Sequence, residues 1–397
     1  MTRSYCKRAC QTVTLLYLVF MILYIQEETE YNGLRKIKRL KNVEKERAHH
    51  NYFLNKLITV LFATESNPQF CALLKTAILN EQNVHIVGWN MEHSDKRKVI
   101  YNGKSIEAVK VTPRVVSSYI CTLDKNTIVL GADAFDTLFS AHSKPKDILD
   151  SFHKFKAKFI WSAESNMWPS FSSLPSSVKK FYRARKSFGH SYRFLNYGGW
   201  IGTAENACRT LKLCAEQLER CRLCSCSGSN DCKLPKQDQG AAHIVFSARR
   251  RSQTMMLDYN QSIFHPAYPN CKELRVSGSG DVHVENISIS THMYHFNGAS
   301  KYHSGCKDYY KHGWFTDLRK PETMDDSVIF IGNKNEKYTV SATKVCPYIW
   351  SQNFTWTEPK KKGRETKWLI SIRGKVLPNI VNSSRRRSQA NLKSSIE

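Results

Sequence analysis

The chain has 397 residues, 41% apolar and 11% aromatic, which is enough to bury the core of one large domain or two ordinary ones and excludes a disordered protein. Its 60 basic and 34 acidic residues give a formal charge of +26; clustered Lys and Arg release counterions from phosphates, so a polyanion is the first partner this suggests. Much of the excess lies in LRKIKRLKNVEKER (34–47), PKKKGRETK (359–367) and Arg385, Arg386 and Arg387, outside the expected core, and this distribution speaks against nucleic acid.

The N-terminus carries Arg3, Lys7 and Arg8, then an uncharged apolar run from Thr12 to Ile25, then Glu27, Glu28 and Glu30. A positive flank before an apolar segment specifies insertion with the N-terminus in the cytosol. The run is short against the roughly 20 residues of a membrane span and also fits the core of a cleaved signal peptide, but no small-x-small cleavage site follows it. The reading adopted is a cytosolic tail (1–11), a signal anchor (12–25) and a charged helical stem (26–53), with the rest of the chain in the lumen of the endoplasmic reticulum or Golgi as a single-pass type II protein. Four N-x-S/T sequons, at Asn260, Asn286, Asn353 and Asn382, agree with that compartment. So do the eleven cysteines beyond the apolar run, which imply disulfides and at least one odd thiol. Cys221, Cys224, Cys226 and Cys232 match no zinc spacing well and are expected to pair as disulfides.

Beyond the stem, KLITVLFATES reads as a strand, FCALLKTAILNEQ as a helix and NVHIVGW as a second strand. This β-α-β order predicts an α/β domain with a parallel sheet, whose ligands sit at the carboxyl ends of strands. RVVSSYICTL follows as a helix and leads into the strand IVLGADAFD. KAKFIWSAESNMWP is another strand, ending near Glu164, and YRFLNYGGWIGTA a further one, whose Gly198 and Gly199 suggest close backbone approach to a ligand or another strand. AENACRTLKLCAEQLER is helical. The rhythm weakens after about residue 318, which suggests a domain at 54–317 and a variable extension at 318–397 with a disordered basic tail.

Asp133 and Asp136 end an apolar strand, and an Asp-x-x-Asp pair there can offer hard oxygen ligands to a divalent cation that bridges a diphosphate. Asp136 can equally cap a helix running through DTLFSAH. THMYHFNGASKY adds a histidine, a glycine turn and a lysine after a strand: a metal ligand, backbone amides and a cation for a phosphate.

Taken in order, LITVLFATES, IVLGADAFDTLFS, FIWSAESNMWPS, YRFLNYGGWIGTA, KQDQ, MLDYNQSIF and HFNGASK followed by HGW make the stretch from Lys56 to Trp314 resemble the glycosyltransferase module of the procollagen-lysine hydroxylase/glycosyltransferase (PLOD-like) family, itself related to the procollagen galactosyltransferases. The resemblance implies a GT-A type, Rossmann-like α/β fold that binds a UDP-sugar, UDP-glucose or UDP-galactose, together with Mn²⁺. By position, Asp133, Asp136 and His295 correspond to the metal ligands and Thr64 to a uridine-side contact. Asn297, Gly298 and Lys301 correspond to the diphosphate motif, and Glu164, Trp168, Asn196, Gly198 and Gly199 to the sugar-side pocket. Asp238 and Gln239 keep the matching positions of an Asp-Asp-Gln motif, but Gln237 stands where the family has its first acidic residue. With Glu164, Asp238 and Gln239 are the candidate catalytic residues. The function implied is transfer of a hexose to the hydroxyl of a hydroxylysine-linked glycan or a protein. The competing reading is a non-catalytic, lectin-like or scaffold protein that retains the fold.

Overall fold

The computed structural model describes residues 57–95, 98–141, 143–185, 191–224, 237–249, 254–269, 274–276, 282–284, 291–298, 325–332, 336–347, 349–350, 355–357, 369–372 and 375–377. The expected tail, signal anchor and stem, Lys301, Cys226 and Cys232, three of the sequons and the basic C-terminal tail lie outside the described residues. Among the described residues no helix is long and apolar enough to cross a membrane.

The chain opens with β1 (Leu57–Phe62), α1 (Pro68–Leu79) and β2 (Asn83–Val87). Asn67 caps α1 by accepting the Phe70 N–H at 2.8 Å, and Pro68 occupies the first turn, where its missing N–H costs nothing. β3 (His93–Asp95), β4 (Lys98–Tyr101) and β5 (Lys104–Glu107) form a small antiparallel sheet ahead of α2 (Ala108–Ile120). Then come β6 (Ile128–Asp133), β7 (Thr137–Phe139), α3 (Pro145–His153), β8 (Phe159–Glu164), α4 (Ser176–Arg185), β9 (Phe194–Thr203), α5 (Ala204–Cys224) and α6 (Asp238–Arg249). The remainder is strand-rich: β10 (Met255–Leu257), β11 (Phe264–Pro266), the hairpin β12 (Leu274–Val276) and β13 (Val282–Val284), β14 (Met293–His295), β15 (Ser327–Ile331) and β16 (Lys337–Ser341). A four-residue helix α7 (Ala342–Val345) and the three-stranded sheet β17 (Thr355–Thr357), β18 (Leu369–Ile372), β19 (Lys375–Leu377) complete it.

The main sheet has eight strands in the order β10-β8-β9-β6-β1-β2-β15-β16. β6, β1, β2 and β15 run parallel, so the β-α-β reading holds at the centre. The sheet is not wholly parallel, however, because β9 runs antiparallel to both β6 and β8. The connection that carries α4 therefore returns to the sheet at the edge it left instead of crossing its face. β8 is buried along its whole length, as a strand covered on both faces must be. Trp161, beside Phe159 at 4.9 Å between ring centroids, is completely buried; loss of such a ring costs about 3–5 kcal/mol.

Two expectations change. DTLFSAH does not form a helix: Thr137–Phe139 is a buried strand, paired antiparallel with β14. α1 and Asn80, which caps it, supply the reason, because their polar side chains bind this segment as extended backbone: Thr76 Oγ1 accepts the Phe139 N–H at 3.1 Å, Asn80 Nδ2 donates to the Ser140 carbonyl at 2.8 Å, and Asn80 Oδ1 accepts the Ser143 N–H at 2.7 Å. The boundary expected at residue 317 also falls inside the sheet's own sequence, since β15 pairs with β2 and β16 with β15. Among the described cysteines, Cys71 is bonded to Cys346 and Cys121 to Cys208, while Cys214 is a buried thiol. The first bond ties α1 to the end of the β15–β16 region and the second ties the end of α2 to α5.

Candidate active site

β6 delivers Asp133 to the carboxyl edge of the sheet. Ile128 to Gly131 are buried, while the Asp133 side chain, at the strand's end, is about half exposed. The turn into β7 brings Asp136 to the same place, and the Thr137 hydroxyl closes it by donating to the Asp133 carbonyl. β14 then pairs with β7 so that His295 stands opposite Thr137. His295 Nε2 lies 3.1 Å from Asp136 Oδ1 and 3.9 Å from Asp133 Oδ2. One ligand atom from each of the three residues lies within 4.8 Å of the others. Two carboxylates and an imidazole suit Mn²⁺ and similar divalent ions, so the residues present fit the metal.

Burial pulls the His295 imidazole down, but Asp136, Asp133 and Glu164 outweigh it and hold it above its usual range. With both nitrogens protonated, Nδ1 donates to Asn196 Oδ1 at 2.9 Å and Nε2 to Asp136. The Asn196 bond leaves Nε2 as the ligating nitrogen once its proton is displaced. Asn196 Oδ1 also accepts the Gly198 N–H at 3.0 Å. Gly198 has to be glycine because a Cβ there would overlap the His295 ring, and a Cβ on Gly199 would press on Phe264. The paired glycines thus serve close packing behind the cluster.

Glu164, at the end of β8, is buried and accepts from two amides: Gln239 Nε2 at 2.6 Å on Oε1 and Asn297 Nδ2 at 2.9 Å on Oε2. Burial lifts its pKa to about 7, against hydrogen bonds from Gln239, Asn196 and Asn297 and the His295 charge. Asn297 Oδ1 accepts the Tyr268 N–H at 3.0 Å, and Gly298 turns the chain with φ +58°. Asp238 opens α6 with its Oδ1 accepting the Gln239 N–H at 2.8 Å. Burial raises it to about 7 as well, the Gln239 N–H lowers it and the Asp133 charge raises it further. Gln239 Oε1 accepts the Tyr197 N–H at 3.2 Å.

Thr64 has a different partner: its hydroxyl meets His93 Nε2 at 2.8 Å. It lies two residues past Phe62, which stands beside Asp133 in the sheet, so it shares the carboxyl edge. Trp168 is 58% exposed, and its Nε1–H donates to Gln237 Oε1 at 3.0 Å. His93, Tyr268 and His243, whose Nε2 meets the Trp168 carbonyl at 2.9 Å, are contributors the sequence reading did not single out. Only His243 had a legible signal, its i, i+4 spacing from Gln239 on a helix.

Residues 54–218 match the family model of the PLOD GT domain. This stretch is therefore similar to a PLOD-like glycosyltransferase module. The match takes in Thr64, Asp133, Asp136, Glu164, Trp168, Asn196, Gly198 and Gly199 and ends inside α5. Asp238, Gln239, His295 and Asn297 lie beyond it, and the fold carries them back onto the module: β14 through β7, α6 through Glu164 and Tyr197. No curated protein matches the chain.

Proposed function

We propose that this protein is a Mn²⁺-dependent transferase that moves a hexose, glucose or galactose, from a UDP-sugar to a hydroxyl on a glycan or protein acceptor. The observation that carries the reading is the meeting of Asp133, Asp136 and His295 at the carboxyl edge of the sheet in a chain with a stretch similar to a PLOD-like module. A divalent cation held there supplies positive charge for the diphosphate that departs as the glycosidic bond is exchanged, the costly part of sugar transfer.

The chain's own residues divide the remaining work. Thr64, steadied by His93, faces the uridine side; Asn297, Gly298 and Lys301 hold the diphosphate end. Asn196 orients His295. Glu164, with both oxygens taken by amides, fixes Gln239 and Asn297. Asp238 is less enclosed, and burial raises its carboxyl to about 7, a range suited to taking the acceptor's proton. Trp168 and Gln237 stand at the sugar side. We place the protein in the endoplasmic reticulum or Golgi membrane with this domain lumenal, on the strength of the Thr12 to Ile25 run, the sequons and the two disulfides.

The test is release of UDP by the purified protein with Mn²⁺, given UDP-glucose or UDP-galactose and hydroxylysine-linked or other glycan acceptors. Turnover with one donor, abolished by chelation, is expected. Gln237, standing where the family has an acid, favours the second reading, a lectin-like or scaffold protein. A wild type that binds UDP and Mn²⁺ but turns over with no donor decides for that one. Carbonate extraction and glycosidase digestion test the topology; a soluble protein with unshifted mobility refutes it.

A further inference from the structure

We infer that Tyr182 and His243 form a positioning relay that sets the Trp168 indole for sugar transfer, an inference that rests on the transferase reading. Trp168 and Val109 are the exposed large apolar side chains among the described residues. An aromatic face left open beside a polar pocket suits the C–H face of a pyranose, and its usefulness depends on being held still.

The backbone holds it. The Trp168 carbonyl accepts two hydrogen bonds from side chains one turn apart on α6, from Gln239 Nε2 at 2.7 Å and from His243 Nε2 at 2.9 Å. His243 is fully buried, and its Nδ1 meets the Tyr182 hydroxyl on α4 at 2.7 Å. Burial keeps this imidazole neutral, with a pKa of about 4, so it has one proton to place. The Tyr182 O–H donates to Nδ1, which puts that proton on Nε2 and aims it at the Trp168 carbonyl. Tyr182 thereby selects the tautomer that lets His243 hold the loop.

A buried Tyr–His pair is often no more than a satisfied polar spot in a core. Two connections distinguish this one. The relay ends on the carbonyl of the residue whose ring is exposed at the sugar side, and it shares that carbonyl with Gln239, whose Nε2 also holds Glu164 at 2.6 Å. Losing the His243 bond loosens Trp168 and leaves Gln239 alone with two acceptors, while Asp133, Asp136 and His295 are untouched. The effect is therefore expected on transfer to the acceptor and not on binding of UDP.

The experiment compares Tyr182→Phe with His243→Phe in one protein, Tyr182→Phe alone and His243→Gln. Three quantities are read: kcat/KM for transfer, UDP affinity in Mn²⁺ by calorimetry, and hydrogen exchange of residues 165–173 without substrate. The double variant is expected to lose about tenfold or more in kcat/KM per folded molecule, to keep its UDP affinity within about twofold and to exchange faster over 165–173. His243→Gln, whose amide can still donate to the carbonyl, recovers most of the loss. Should the double variant fail to fold, Tyr182→Phe alone carries the test, with the same split at a smaller size. Wild-type kcat/KM with wild-type exchange overturns the relay, and so does a parallel loss of UDP affinity. A wild type without turnover overturns the transferase reading and the positioning role with it, whereas exchange alone still reports whether the loop is clamped.

Discussion

Asp238 and Glu164 have nearly the same elevated pKa, about 7, yet their surroundings assign them different work. Glu164 has an amide on each oxygen, so it orients its partners. Asp238 sits at the start of a helix, largely covered but with part of its surface left open. If the protein is the transferase proposed above, Asp238→Asn keeps the shape and removes the carboxylate; turnover should fall about a hundredfold while UDP affinity stays near that of the wild type, and an unaltered rate would move the proton to Glu164. Gly198 is a sterner constraint. Adding one methyl in Gly198→Ala drives a Cβ into the His295 ring, so Mn²⁺ affinity measured by titration should drop at least about tenfold although no ligand has changed. His265 gives the clearest pH signature. It is fully buried, neither ring nitrogen has a hydrogen-bond partner among the described residues, and burial depresses its pKa to about 3. Below the unfolded value near 6.5 the unfolded chain takes up a proton that the folded one refuses, so this residue's contribution is lost as pH falls from about 6.5 towards 3. Between pH 7 and pH 5 the wild type should lose about 2 kcal/mol more stability than His265→Phe. Equal losses in denaturant melts would contradict this.

At the scale of elements, the site depends on a three-residue strand. β7 is too short to persist alone, and it exists because β14 pairs with one edge while Thr76 of α1 and Asn80, which caps that helix, bind its end as extended backbone. Asn80 makes three bonds: to the Thr76 carbonyl at 2.9 Å, to the Ser140 carbonyl at 2.8 Å and from the Ser143 N–H at 2.7 Å. Asn80→Ala leaves buried backbone groups unsatisfied and should cost about 3 kcal/mol. Because β7 carries the register that places His295, the variant should also bind Mn²⁺ more weakly when fully folded. Wild-type affinity would mean that β14 is held independently of α1.

Across the whole molecule, the region after residue 317 completes the sheet. β15 covers the edge of β2, where Val84, Ile86 and Val87 are buried, and Phe330 packs edge-on against Trp89 at 4.9 Å. The Cys71–Cys346 bond closes the same junction. A protein ending at residue 317 would expose an apolar parallel edge and leave Cys71 unpaired, and should associate in size-exclusion chromatography. One ending at residue 350 keeps both strands and the disulfide and should not. A monomeric, equally stable 317 form would show that β2 tolerates an open edge.

Local patterning was enough for β1, β2, β6 and β8, because a buried strand must be apolar over a few residues and end in turn or polar residues. The same logic put Asp133 and Glu164 at the carboxyl edge, where an α/β sheet keeps its ligands. Sequence order and spacing also carried the PLOD-like resemblance. Pairing between distant segments was not legible. β9 shares the apolar signature of its neighbours, and nothing in FLNYGGWIGT states that it runs against them. DTLFSAH carries a cap and helical spacing, and only contacts with α1 and β14 make it extended. The direction of a strand and the partner of a three-residue segment are decided by long-range hydrogen bonds and shared burial, which no window of sequence contains. For the same reason Asp133, Asp136 and His295 can be named singly from their motifs, whereas their meeting within 4.8 Å belongs to the tertiary structure.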